Sequence, residues 1–222
     1  VGPVLEDGVA DLQELRNGVA REMGYDDYYA FQVADYGMSV EEMMALLDDL
    51  VRQTRPLFEQ LHCWAKYRMA ERYGVDDPPE LIPAHWIGNR WAQRWPGLVE
   101  GVDRDALLED KEPEWLLEQA ERFYVSMGLP ELPESFYEKS DLYPVPEGEE
   151  REKNDHASAW HLDLGDDVRS LMSVEPSWRW FGTTHHELGH IYYYLAYTRD
   201  EVPPLLRDGA NRSFHEGIGT LI

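Results

Sequence analysis

A mainly α-helical fold is predicted by three observations on this 222-residue chain. Helix-start and helix-stop signals recur, as in Ser39-Val40-Glu41-Glu42 and in Pro113 with Gly128. Apolar residues between these signals return at three- and four-residue intervals rather than alternating. Prolines and glycines gather between the periodic segments, at Pro78-Pro79, Pro83 and Pro96-Gly97. One short strand is expected, just ahead of the helix that carries His185, His186 and His190.

Leu12 to Met23 has helical spacing and ends at Gly24, suited to the left-handed position past a helix end. The capping box at Ser39 opens a long amphipathic run towards Tyr73. Pro56 lies inside that run and is expected to kink or break it near Arg55. Ala84 to Trp95 reads as a short, Trp-rich helix. Pro113 to Met127 reads as another, closed by Gly128 with Pro130 beyond. Residues 130–155 are rich in Pro, Glu and Lys with little periodicity, and read as a surface connection. His156-Ala157-Ser158-Ala159-Trp160 follows it. Small residues there let another backbone approach and pair as an added strand, although such a stretch is more often plain structure. No repeat or linker composition separates independent domains. Residues 1–222 therefore read as one domain, with room for two lobes.

Composition narrows the function classes. A hydrophobic content of 43% and an aromatic content of 12% belong to a globular chain rather than a disordered one. There are 44 acids against 20 bases, a net charge of −24, so no basic stripe offers itself to nucleic acid. No run of eighteen apolar residues is present, so no membrane span is expected. No signal peptide is visible, but the chain begins at Val1 rather than Met, so an earlier segment is left open. Cys63 stands alone, which excludes an internal disulfide and leaves the compartment open.

The chemistry concentrates in His186-Glu187-Leu188-Gly189-His190, an H-E-x-x-H pattern. Residues four apart on a helix share a face, so both imidazoles can reach one metal ion. Glu187 then lies beside the ion's open position, where a carboxylate can take a proton from water. Two histidines at this spacing are usually a solvated or core pair. The intervening Glu and the apolar run Ile191 to Tyr197 shift the reading towards zinc. Catalytic zinc takes a third protein ligand, and Glu216, 26 residues after His190, completes a two-His, one-Glu set. His215 is its rival.

The blocks H-H-E-L-G-H-I-Y-Y-Y-L (185–195) and R-D-G-A-N-R-S-F-H-E-G-I-G (207–219) resemble those of the angiotensin-converting-enzyme family of peptidyl-dipeptidases. Pro83 to Gln93, His156 to Trp160 and Gly24-Tyr25 agree in order, so the resemblance runs over roughly 10–222. It implies a helical zinc metallopeptidase, represented here by a middle portion of the family fold. It implies one zinc ion on His186, His190 and Glu216, with Glu187 as general base, and it allows chloride as a further ion. The substrate implied is an oligopeptide that loses a C-terminal dipeptide. It would be held along a strand at His156, Ala157 and Ala159. Many animal members are secreted and disulfide-bonded. This chain departs from them and is bacterial in style.

Other departures matter more. Two extra residues fall near Arg199-Asp200-Glu201, where a loop absorbs them cheaply. Thr220 stands where the family keeps an Asp hydrogen-bonded to a ligand imidazole, which predicts weaker zinc binding. Glu109 stands at a family amide position. The family's later half supplies the donors that stabilise the tetrahedral intermediate, and the chain stops at Ile222. Two expectations follow: a zinc peptidase or its metal-bearing piece, and, as the alternative, a silent zinc- or peptide-binding module. An apolar face left by the missing portion is expected to favour self-association.

Overall fold

The computed structural model describes residues 2–89, 95, 101 and 103–221. It is mainly helical, with one two-stranded sheet among the described residues, and it divides into two compact units, Val1–Gly101 and Val102–Ile222.

The first unit holds α1 (Gly2–Glu6), α2 (Val9–Glu22), α3 (Tyr28–Ala34) and α4 (Val40–Arg72). Met23 caps α2 and Gly24 follows at φ +93°, the left-handed turn that only glycine takes without strain. The Ser39 hydroxyl accepts from Glu42 N while Glu42 Oε2 accepts from Ser39 N, so the capping box is closed both ways. Of the kink or break expected near Arg55, the break does not occur; α4 runs on through Pro56. Its flanks are solvent-exposed, so water can take the carbonyl that proline leaves unpaired. Thr54 Oγ1, donating to Leu50 O at 2.8 Å, is a further local adjustment. Between Ala84 and Ile87 the expected helix is a single 3-10 turn ending in extended backbone; residues 90–94 lie outside the described residues. Ala65 and Met69 form a small core with Ile82, Trp86, Ile87 and Trp95.

The second unit carries α5 (Pro113–Ser126), α6 (Glu134–Lys139), β1 (Ser158–His161), β2 (Val168–Leu171), α7 (Trp178–Tyr197) and α8 (Arg212–Thr220). Its core is larger. Leu116, Leu117, Ala120 and Tyr124 of α5 meet Leu188, Ile191 and Tyr192 of α7, each set at helical spacing. Residues 130–155 are not merely a surface connection. Phe136 of α6 is fully buried, Leu132 and Leu142 join it in the core, and Met172 N donates to Asp141 O beside β2.

β1 pairs antiparallel with β2, with Ser158 opposite Leu171 and His161 opposite Val168. The other side of β2 is met by a bridge at Asp141. The expected strand therefore exists but begins at Ser158, leaving His156 and Ala157 just before it.

α7 starts cleanly because its free amides are met. Ser177 Oγ accepts from Trp180 N at 3.2 Å, and Asp105 Oδ1 accepts from Trp178 N at 2.6 Å. Asn211 Oδ1 does the same for Phe214 N at the start of α8. No helix among the described residues is long and apolar enough to cross a membrane.

Candidate metal centre

α7 and α8 are joined through two glycines, and that contact builds the centre. A Cβ on Gly189 would stand 2.8 Å from Gly219 Cα, and one on Gly219 would stand 2.9 Å from His186 Nδ1. With no side chain at either position, α8 comes close enough to bring Glu216 within reach of the two α7 imidazoles.

There His186 Nε2 and His190 Nε2 lie 3.1 Å apart, and Glu216 Oε2 lies 3.5 and 3.8 Å from them. A tetrahedral ion held at zinc's usual distances of about 2.0–2.1 Å would separate its ligand atoms by about 3.3 Å. The three atoms thus already outline one face of such a coordination shell, and donors of two imidazoles and a carboxylate suit zinc. Arg212, one turn before Glu216, holds its other oxygen, Oε1, at 3.0 Å.

Electrostatics agree with ligand duty. Burial pushes the His190 imidazole down to about 4, helped by the neighbouring His186, so it is neutral and free to ligate near pH 7. Burial pushes the Glu187 carboxyl up to about 7; the His156 imidazole opposes this and Glu216 adds to it. Glu187 is therefore poised to exchange a proton near neutrality.

His215 is buried behind this set rather than within it. Its Nδ1 lies 3.3 Å from Nδ1 of His190, on the edge of that ring away from Glu216. Thr220 is exposed at the end of α8, and Glu109 is exposed on the turn before α5.

The strand residues lie against the same helix. Ala157 and Ala159 are partly buried on the core, and Tyr194 of α7 donates its hydroxyl to Ala159 O at 3.3 Å. His156 is exposed, with Nδ1 2.7 Å from Ala157 O and its ring close enough to Glu187 to influence it.

Some residues of the centre carried no signal in the sequence. Arg212 is an ordinary helix-start residue until Glu216 is known to face inward. Tyr124, which donates to His185 O at 2.8 Å, lies 61 residues away and is identifiable only as core. Lys153, nearly fully buried, donates to Asp141 Oδ1 and to the carbonyls of Asp141 and Tyr143, pinning the chain ahead of β1. It was hidden in an acidic stretch.

The sequence model of the peptidase family described as Angiotensin-converting enzyme matches residues 1–222. The chain belongs to the angiotensin-converting-enzyme family. Among relatives named Angiotensin-converting enzyme, that of Sus scrofa is 33% identical over 222 residues, 94% of this chain and 16% of its own length. That of Haematobia irritans exigua is 33% identical over 195 residues, 82% of this chain and 31% of its own length. That of Theromyzon tessulatum is 32% identical over 236 residues, 99% of this chain and 37% of its own length. The chain thus spans well under half the length of these relatives. The span matched to the angiotensin-converting-enzyme family includes α7, α8 and the strand before them.

Proposed function

We propose that this chain carries the metal-binding and proton-accepting part of a zinc-dependent peptidase that releases C-terminal dipeptides from oligopeptides. The observation that carries the reading is the convergence of His186, His190 and Glu216, with the raised carboxyl of Glu187 alongside. Membership of the angiotensin-converting-enzyme family supports it, and the dipeptide product comes from that family alone.

His186 and His190 from α7 and Glu216 from α8 would hold the ion. What zinc supplies in such a set is a Lewis acid for the peptide carbonyl and a lowered pKa for water. Glu187 accepts the proton that water gives up and passes it to the departing amine, a task suited to a carboxyl near pKa 7. His156, Ala157 and Ala159 would line up the peptide along β1. The edge of β1 away from β2 has no strand partner among the described residues, which is what an added strand requires. Chloride has no assigned place in this reading. Self-association rests on apolar side chains exposed on α4, among them Leu50, Leu57, Phe58 and Trp64.

The test is zinc content together with cleavage of a blocked tripeptide, for the wild type and Glu187→Gln. Zinc in both is the expected result, and whatever cleavage the wild type shows is expected to be lost in Glu187→Gln. Zinc without cleavage in the wild type would leave the metal-binding module, and no zinc would remove both readings.

A further inference from the structure

His215 is a buried, polar group that the proposed chemistry leaves unused. It sits one residue before Glu216 in the first turn of α8 and is 8% exposed. We propose that His215 is the positioning residue for His190: its Nδ1 accepts the Nδ1 proton of His190, leaving the Nε2 lone pair of His190 aimed at the ion. The inference rests on the metal reading of the centre.

Three observations carry it. The two Nδ1 atoms are 3.3 Å apart, and such a pair is held only when one ring donates and the other accepts. A neutral imidazole has one proton to place. Placed on His190 Nδ1, it leaves Nε2 bare where His186 Nε2 and Glu216 Oε2 converge; placed on Nε2, it would block that position.

The His215 ring is also fixed, which a directional acceptor requires. Tyr193 and Tyr194 lie against it, with ring centroids 4.6 and 4.9 Å away. Gly209 closes the remaining side so tightly that a Cβ there would stand 2.7 Å from His215 Cδ2 and 3.1 Å from Nε2. Tyr193 is held in turn, because its hydroxyl accepts from Ala210 N at 3.1 Å. Metal-ligating histidines ordinarily rest their second nitrogen on a carboxylate, a carbonyl or water, and here the His215 imidazole takes that place.

The experiment compares zinc affinity, by competition with a chromogenic chelator, in the wild type, His215→Phe and His215→Gln. The His190 tautomer is read from nitrogen NMR of the metal-free proteins. Phe keeps a ring between the tyrosines and removes the acceptor; Gln restores an acceptor oxygen. The expected result is zinc binding about 10- to 100-fold weaker in the Phe variant, partly recovered with Gln. The wild-type His190 should carry its proton on Nδ1, and the Phe variant should show mixed tautomers. Unchanged affinity in His215→Phe, with zinc bound by the wild type, would overturn the proposal and leave the metal reading standing. No zinc in the wild type would overturn the metal reading and the proposal with it. Should a variant fail to fold, the wild-type spectrum decides alone: a His190 proton on Nε2 overturns the proposal.

Discussion

Gly189 of α7 and Gly219 of α8 lie backbone to backbone, with 2.8 Å between the place of a Gly189 Cβ and the Gly219 Cα. The candidate centre depends on this approach, because two of its proposed ligands come from one helix and the third from the other. Replacing Gly189 with Ala would gain about 1 kcal/mol of helix propensity. It would also press a methyl group into backbone, which cannot move aside as a side chain can, and overpacking costs roughly 1–3 kcal/mol. Tyr124 Oη, at 2.7 Å from the same point, closes the other way out. Gly189→Ala is therefore expected to lower the melting temperature by several degrees and to weaken zinc binding. A thermal melt followed by circular dichroism and a zinc titration check both; an unchanged pair of values would contradict the account.

Lys153 and Arg151 both bind Asp141, and they are expected to differ in worth. Lys153 is buried and serves three acceptors, so Lys153→Met removes the donor to the Tyr143 carbonyl and one of the donors to each of two Asp141 oxygens, at a cost of about 1–3 kcal/mol. Arg151 is exposed, and Arg151→Gln should cost clearly less than Lys153→Met, because solvent screens a surface ion pair. Urea midpoints of the two variants test the contrast.

Asp141 also gives a pH dependence. Hydrogen bonds from Arg151 and then Lys153 hold its carboxyl below its ordinary value of 3.8, against the opposing effect of burial. The unfolded chain then binds this proton more readily than the folded one. The contribution is present above that ordinary value and is lost as pH falls through and below it. Urea midpoints from about pH 5 down to about pH 3 should drop further in the wild type than in Asp141→Asn. Parallel curves would refute the assignment.

The helices themselves were largely legible. Ser39 with Glu42, Pro113 with Gly128, and Gly24 are local signals, and local backbone chemistry decides them wherever tertiary contacts do not intervene. The placing of His186 and His190 on one face follows from helix period alone. What brings Glu216 to them does not, since a glycine facing a glycine 30 residues on looks like any other pair. Residues 130–155 misled because six residues of α6 are too few for a period to show, and Phe136 stands among charges. The turn at Ala84 misled because its aromatic residues serve packing: Trp86 stacks on Tyr73 with centroids 4.9 Å apart.

Phe136 supplies a further test of the second unit. It is wholly buried, so Phe136→Ala should cost about 3–5 kcal/mol, while Tyr137→Ala, more exposed on the same helix, should cost less. Chemical denaturation of both variants checks the order. A Phe136 variant as stable as the wild type would mean that α6 is not seated in the core.

Whether α7 and α8 together hold one zinc ion is decided by equilibrium zinc titration of the metal-free chain beside Glu216→Gln. One zinc per wild-type chain and much weaker binding in the variant are expected, because the carboxylate of α8 would complete the set. Equal affinity in the two proteins would contradict this, since the two histidines of α7 would then be binding without α8.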